Sequence, residues 1–260
     1  MLINILIFIL SIIPSVLIVF FMRKRRSEDP LYVKSCRSAL IRGLVSVLPI
    51  LGVSGILYVV YVILGVTVLK DIPILFLKAF YTFIVLAFAE ELVKFLVFKG
   101  VLKKKLTAYS WADVTAIMVI VGTAFGLIED LIYAIGASVP VMLLRGITMG
   151  HVGYGFVMGW FYGKMLYTGK KRYGVISFML PFLLHGLYDF SLTPELIELN
   201  EGLMAIALLL ALLDIVLLIL MVRFFVKEKK KERYQIPLTA AIPAADEKPL
   251  AETGETEKDA

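Results

Sequence analysis

FLKAFYTFIVLAFAEELVKFLVF, residues 76–98, carries Glu90, Glu91 and Lys94 deep inside the mostly apolar run that follows Lys78. A stretch of about 20 apolar residues matches a hydrocarbon core roughly 30 Å thick. Each charge at the centre of such a span costs on the order of 2.5–3.5 kcal/mol on insertion scales, and pairing recovers part of that. These three residues therefore need a structural or a chemical reason.

The rest of the chain has the same character. It has 260 residues, 60% of them apolar and 18% charged, with a mean hydropathy of +0.90. A soluble domain needs more charge than this to cover its surface. The net charge of +6 does not point to nucleic acid. Basic residues cluster at the ends of apolar runs, as topology determinants do, and form no stripe with interleaved aromatics. Cys36 is the only cysteine and falls in a basic loop, which excludes an internal disulfide framework and a cysteine-based zinc site.

The pattern predicts an all-α polytopic membrane protein, a bundle of about seven spans over residues 2–22, 43–68, 77–98, 112–136, 140–166, 174–192 and 203–226. RKRR follows the first span and no basic stretch precedes it, so it reads as an uncleaved anchor with its N-terminus outside. The loops agree with that topology. Basic residues fill 23–42, 99–111, 167–173 and the start of the C-terminal segment, whereas the opposite loops carry only Lys70 and Lys78 and none in TPELIELNEG. The expected localisation is a multi-pass cell-membrane protein with a cytoplasmic C-terminus. Residues 1–226 form the bundle, and 227–260 a basic stretch followed by a Pro-, Ala- and acid-rich disordered tail.

Away from the basic and capping residues at the span ends, the ionisable residues that stand out are Glu90, Glu91, Lys94, Glu129, Asp130, Arg145, His151, His185, Asp189 and Asp214, and of these all but Asp214 fall on spans three to six. Lys94 lies four residues from Glu90 and three from Glu91, so it reaches either carboxylate one helical turn away. One internal salt bridge explains one glutamate and leaves the other for proton transfer. His185 and Asp189 are also four apart, a spacing that suits a shared metal, an oriented imidazole or a buried hydrogen bond between helices. His151 and His185 are the whole histidine complement and occur at similar depth, as expected if they build one site. His151 begins a four-residue ladder with Gly155, Gly159 and Gly163, which reads as close helix packing. Phe125 and Glu129 repeat that spacing on span four, with Asp130 turned toward a different neighbour. Arg145, near the end of its span, reads as snorkelling to the interface. For Asp214, a helix-packing role or a contact with Lys78 or Arg145 stands level with a functional one.

Taken in order, EELVK (90–94), FGLIE (125–129), His151 and HGLYD (185–189) resemble the PrsW family of intramembrane proteases, distant relatives of the CAAX-prenyl proteases. The resemblance covers roughly residues 77–192 and departs at Asp130, where the family pattern leads one to expect Asn. It implies hydrolysis of a peptide bond in a membrane-anchored substrate, as in the first extracytoplasmic cut of an anti-sigma factor. The expected catalytic set is Glu90, Glu91, Lys94, Glu129, His151, His185 and Asp189. Either glutamate serves as base, with the other fixed by Lys94. His151, His185 and Glu129 would hold a zinc with one position open for water. A metal-free route, with glutamate activating water and the histidines holding the oxyanion, stands equally. The competing classes are a proton-coupled transporter or channel and a non-catalytic membrane sensor. Midplane Glu, His and Asp also serve proton relays, but no inverted repeat is visible in this sequence.

Overall fold

The computed structural model describes residues 2–67, 72–103, 106–134 and 139–228, without the side chains of 2–11, 66 and 139–141. The expected tail beyond Glu228 and the Lys70 connection lie outside these residues. Every regular element described is helical: α1 (Leu2–Lys24), α2 (Pro30–Val45), α3 (Val47–Thr67), α4 (Ile74–Phe80), α5 (Ala89–Leu102), α6 (Trp111–Tyr133), α7 (Val139–Thr148), α8 (Gly150–Thr168), α9 (Arg172–Ser191), α10 (Pro194–Leu199) and α11 (Gly202–Glu228). Tyr81–Phe88 joins α4 to α5 as a π-helix, a geometry that recurs at functional sites. Among the described residues, Val47–Gly65, Trp111–Tyr133, Arg172–Ser191 and Gly202–Glu228 are long and apolar enough to cross a membrane.

Helix α6 is the centre. Its apolar window is 83% buried, against 6% for Val47–Gly65, so α6 is wrapped by protein while α3 turns its side chains outward. α1, α2, α5 and α8 all pack on α6, and α8 is packed in turn by α9 and α11. The glycine ladder explains the α6–α8 contact. A Cβ at Gly159 would lie 2.8 Å from Met118 Cβ and 2.9 Å from Thr115 Cα, and one at Gly122 would collide with the carbonyl oxygen of His151. The two backbones approach this closely only because small residues line the seam.

Two expectations are corrected. The basic loop expected at 23–42 contains α2, whose buried face is Tyr32, Ser35, Cys36, Ala39 and Gly43. Asp29 caps it, accepting from the N–H groups of Leu31 at 2.8 Å and Tyr32 at 3.1 Å, and Pro30 begins the helix. Cys36 is thus buried in a helix. The second correction concerns 140–166, which is not one helix. Met149 adopts a left-handed φ of 48° and separates α7 from α8. Such a conformation costs a non-glycine residue roughly 1–2 kcal/mol, so the surrounding packing must impose it. A smaller break at Ser46 likewise separates α2 from α3 within the expected 43–68 span.

Candidate functional site

Glu90 and Glu91 occupy the first turn of α5, directly after the π-helix. Phe83 in that π segment packs edge-on to Phe182, and Gly186 leaves room for its ring, so the α5 approach is anchored to α9. Glu91 and Lys94 are each 1% exposed. Lys94 Nζ lies 2.5 Å from Glu91 Oε1 and 3.5 Å from Glu90 Oε2, so it meets both carboxylates. It also donates to His151 Nδ1 at 3.0 Å and stands over the Phe125 ring, 4.5 Å from its centroid.

The two histidines meet from separate helices, α8 and α9. Their ring centroids are 5.1 Å apart in an edge-to-face arrangement. His185 Nδ1 donates to Glu91 Oε1 at 3.0 Å, while Nε2 faces Asp189 Oδ2 at 3.3 Å and Glu90 Oε2 at 3.8 Å. His151 Nε2 bonds Glu129 Oε2 on α6. The four-residue spacing of His185 and Asp189 thus corresponds to a direct contact, and Glu129 turns toward His151. All seven residues expected from the sequence are brought together.

Arg145 on α7 differs from expectation. It turns inward and places Nη2 2.8 Å from Glu129 Oε2 and Nε 2.8 Å from Asp130 Oδ1. Two adjacent carboxylates make inward pairing more favourable than snorkelling. Asp130, expected to face a different neighbour, shares Arg145 with Glu129, and only Glu129 also bonds His151. Asp214 contacts neither suggested cation, because Lys78 donates to Glu195 at 2.6 Å and Arg145 is engaged by α6. It lies 3% exposed on α11 and lines the cavity described below. Sequence reasoning also passed over Tyr154, whose ring stacks on His185 at 5.4 Å and 26°. Tyr154 is three residues after His151, one turn along the same helix face, and that spacing was available as a signal.

A cavity of about 50 Å³ opens beside the histidines, lined among others by Glu129, Arg145, His151, His185, Asp189 and Asp214. At roughly 10–15 Å³ per water centre it has room for a few waters. Next to it, one ligand atom from each of Glu90, Glu91, His151 and His185 lies within 4.8 Å of the other three. Glu90 Oε2 is buried without a hydrogen-bond partner. Two imidazole nitrogens with two carboxylate oxygens form a zinc-type donor set, and an orphaned carboxylate oxygen among them fits such an ion.

The class is that of the intramembrane metalloproteases: residues 38–226 match the family described as PrsW family intramembrane metalloprotease. The chain belongs to the PrsW family. It is 29% identical over 147 residues to Protease PrsW of Oceanobacillus iheyensis, covering 55% of this chain and 67% of that protein. Protease PrsW of Clostridioides difficile is 28% identical over 200 residues, covering 72% and 79% of the two chains. With Protease PrsW of Geobacillus kaustophilus the match is shorter, 34% identity over 76 residues, 28% of this chain and 34% of the relative. No solved structure matches the chain.

Proposed function

We propose that this chain hydrolyses a peptide bond of a membrane-anchored protein through Glu90, Glu91, Lys94, Glu129, His151, His185 and Asp189. The observation that carries the reading is the meeting of the two histidines, 5.1 Å apart, with the paired glutamates of α5. Amide hydrolysis requires an activated water, a group to hold the oxyanion and a proton for the leaving nitrogen.

Glu91 is held between Lys94 and His185, whereas Glu90 keeps one oxygen without a hydrogen bond. Glu90 is therefore the general base, and Glu91 the anchored partner. His151 and His185, with Glu91, would hold a zinc only where Lys94 gives up His151 Nδ1 and His185 Nδ1 gives up its proton, and such an ion brings the pKa of its bound water to about 7. Glu129, expected from the sequence as a ligand, and Asp189 instead press on the imidazoles and fix their orientation, as carboxylates behind metal-binding histidines do. Lys94 balances the charge of the two glutamates and donates to His151. Arg145 plays the same part for Glu129 and Asp130.

The substrate class is a single-span protein of the anti-sigma-factor kind, cut on its extracytoplasmic side. Seven spans with an external N-terminus and a cytoplasmic C-terminus would suit that orientation. The test is cleavage of a single-span substrate by the purified protein in liposomes, with and without a chelator. Glu90→Gln should abolish cleavage while zinc stays bound, and Glu91→Gln should lose both. Cleavage that survives both substitutions and His185→Ala would overturn the proposal.

A further inference from the structure

Asp130 and Asp214 are the carboxyls on the cavity wall that the proposed chemistry leaves unused, and Asp130 is paired with Arg145. Asp214 comes from α11, outside the segment carrying the four motif elements, and is 3% exposed. Among the described residues it has no hydrogen bond and no ion-pair partner, although it lines the same cavity as His185 and His151. The other acids of the cavity wall are engaged: Glu129 and Asp130 by Arg145, and Asp189 by His185.

The surroundings explain how a lone carboxyl persists there. It abuts the first turn of α8, where a Cβ on Gly150 would lie 3.2 Å from Oδ2 and one on Gly153 would lie 3.8 Å from Oδ1. Glycines at both positions clear the side of that turn facing Asp214 and let the carboxyl approach the backbone. A helix N-terminus favours negative charge through its dipole. No N–H of α8 donates to the carboxyl among the described hydrogen bonds, so its oxygens keep their lone pairs.

A substrate that crosses the membrane as a helix must unwind at the bond to be cut. Unwinding releases backbone N–H groups that have no water to turn to in hydrocarbon, at several kcal/mol each. The site must therefore offer an acceptor that is not already taken. We infer that Asp214 is a substrate-binding residue, accepting a backbone N–H of the unwound segment next to the scissile bond. The inference rests on the proteolytic reading of the adjacent site.

Its test uses the full chain in liposomes with a single-span substrate bearing a photo-crosslinking residue near the cut. Asp214→Ala should raise KM about tenfold or more, the scale of a lost hydrogen bond to a charged acceptor, with kcat changed far less. In the Glu90→Gln background, which binds without cutting, Asp214→Ala should lose most of the crosslink. Asp214→Asn keeps one carbonyl acceptor of the same shape and should restore much of both. Placing proline at successive substrate positions should reveal one site where the missing N–H costs the unmutated protein about tenfold and costs Asp214→Ala nothing. A merely structural carboxyl would lower Tm, leave KM and the crosslink per folded molecule unchanged, and show no such position, and that result overturns the inference. If the unmutated protein cuts no substrate, the proteolytic reading fails, and the crosslinking and proline arms still decide whether Asp214 binds an unwound segment.

Discussion

Helix α6 carries a buried ionic cluster near each end, and the two are built for different purposes. Asp113 and Glu129 are about 24 Å apart along its axis at 1.5 Å per residue. At the first end Asp113, 0% exposed, pairs with Arg25 and Arg26. It also accepts from the Ser110 N–H at 2.9 Å, while its own N–H donates to Ser110 Oγ at 3.2 Å, closing a capping box. Both carboxylate oxygens are occupied, and no histidine or described cavity adjoins them. At the other end Glu129 is tied to Arg145 and His151, yet the network continues into two imidazoles, an orphaned Glu90 oxygen and a cavity. Charge burial alone therefore does not mark a site. Among the described residues the first cluster leaves only a donor, Arg25 Nε, without a partner; what distinguishes the second is an unsatisfied carboxylate acceptor beside space for water.

Four substitutions or modifications would break or sharpen that contrast. His185→Ala should reduce cleavage per folded molecule about 10³-fold, the scale on which acid–base and positioning groups act. Cleavage rate and thermal unfolding of the same preparation check it. Asp113→Ala should do the reverse. Removing one member of a buried pair costs about 3 kcal/mol, so Tm and yield should fall while activity per folded molecule is kept. An Asp113→Ala protein that is stable but inactive would erase the distinction between the clusters.

Gly122→Ala joins the two effects, because its Cβ runs into the His151 carbonyl oxygen. Forcing α6 from α8 should cost about 1–3 kcal/mol in stability, read by unfolding. Displacing His151 should also reduce cleavage by more than the loss of folded protein explains. The smallest effect is expected at Cys36 on α2, outside the four membrane-length helices. It is 2% exposed, and burial pushes its thiol up to about 11. Thiolate is the reactive form, so an alkylating reagent at pH 8 should label Cys36 only after denaturation, as mass spectrometry would show.

Much of the site could be read from spacing alone. Glu-Glu-x-x-Lys and His-x-x-x-Asp are helical contacts along a single helix, and the structure has Lys94 against both glutamates and His185 against Asp189. The glycine ladder was similarly legible as a close seam. Arg145 and Asp214 were not, because an inward turn or a contact between α11 and α8 depends on how distant helices dock. Helix α2 lay between these cases. Asp29-Pro30 is a cap followed by a preferred first residue, but the basic residues around it read as a loop.

By itself the sequence determined an all-helical membrane protein, its family and the residue types available for chemistry. Hydrophobic period, charge cost and i,i+3 or i,i+4 reach are local properties that need no knowledge of neighbouring helices. Tertiary structure alone decided that Glu129 reaches His151, that Arg145 spans two carboxylates, and that Asp214 faces a cavity with no partner among the described residues. Those outcomes follow from the close α6–α8 seam and the break at Met149. Helix-to-helix distance and rotation, which no single segment encodes, set which side chains meet.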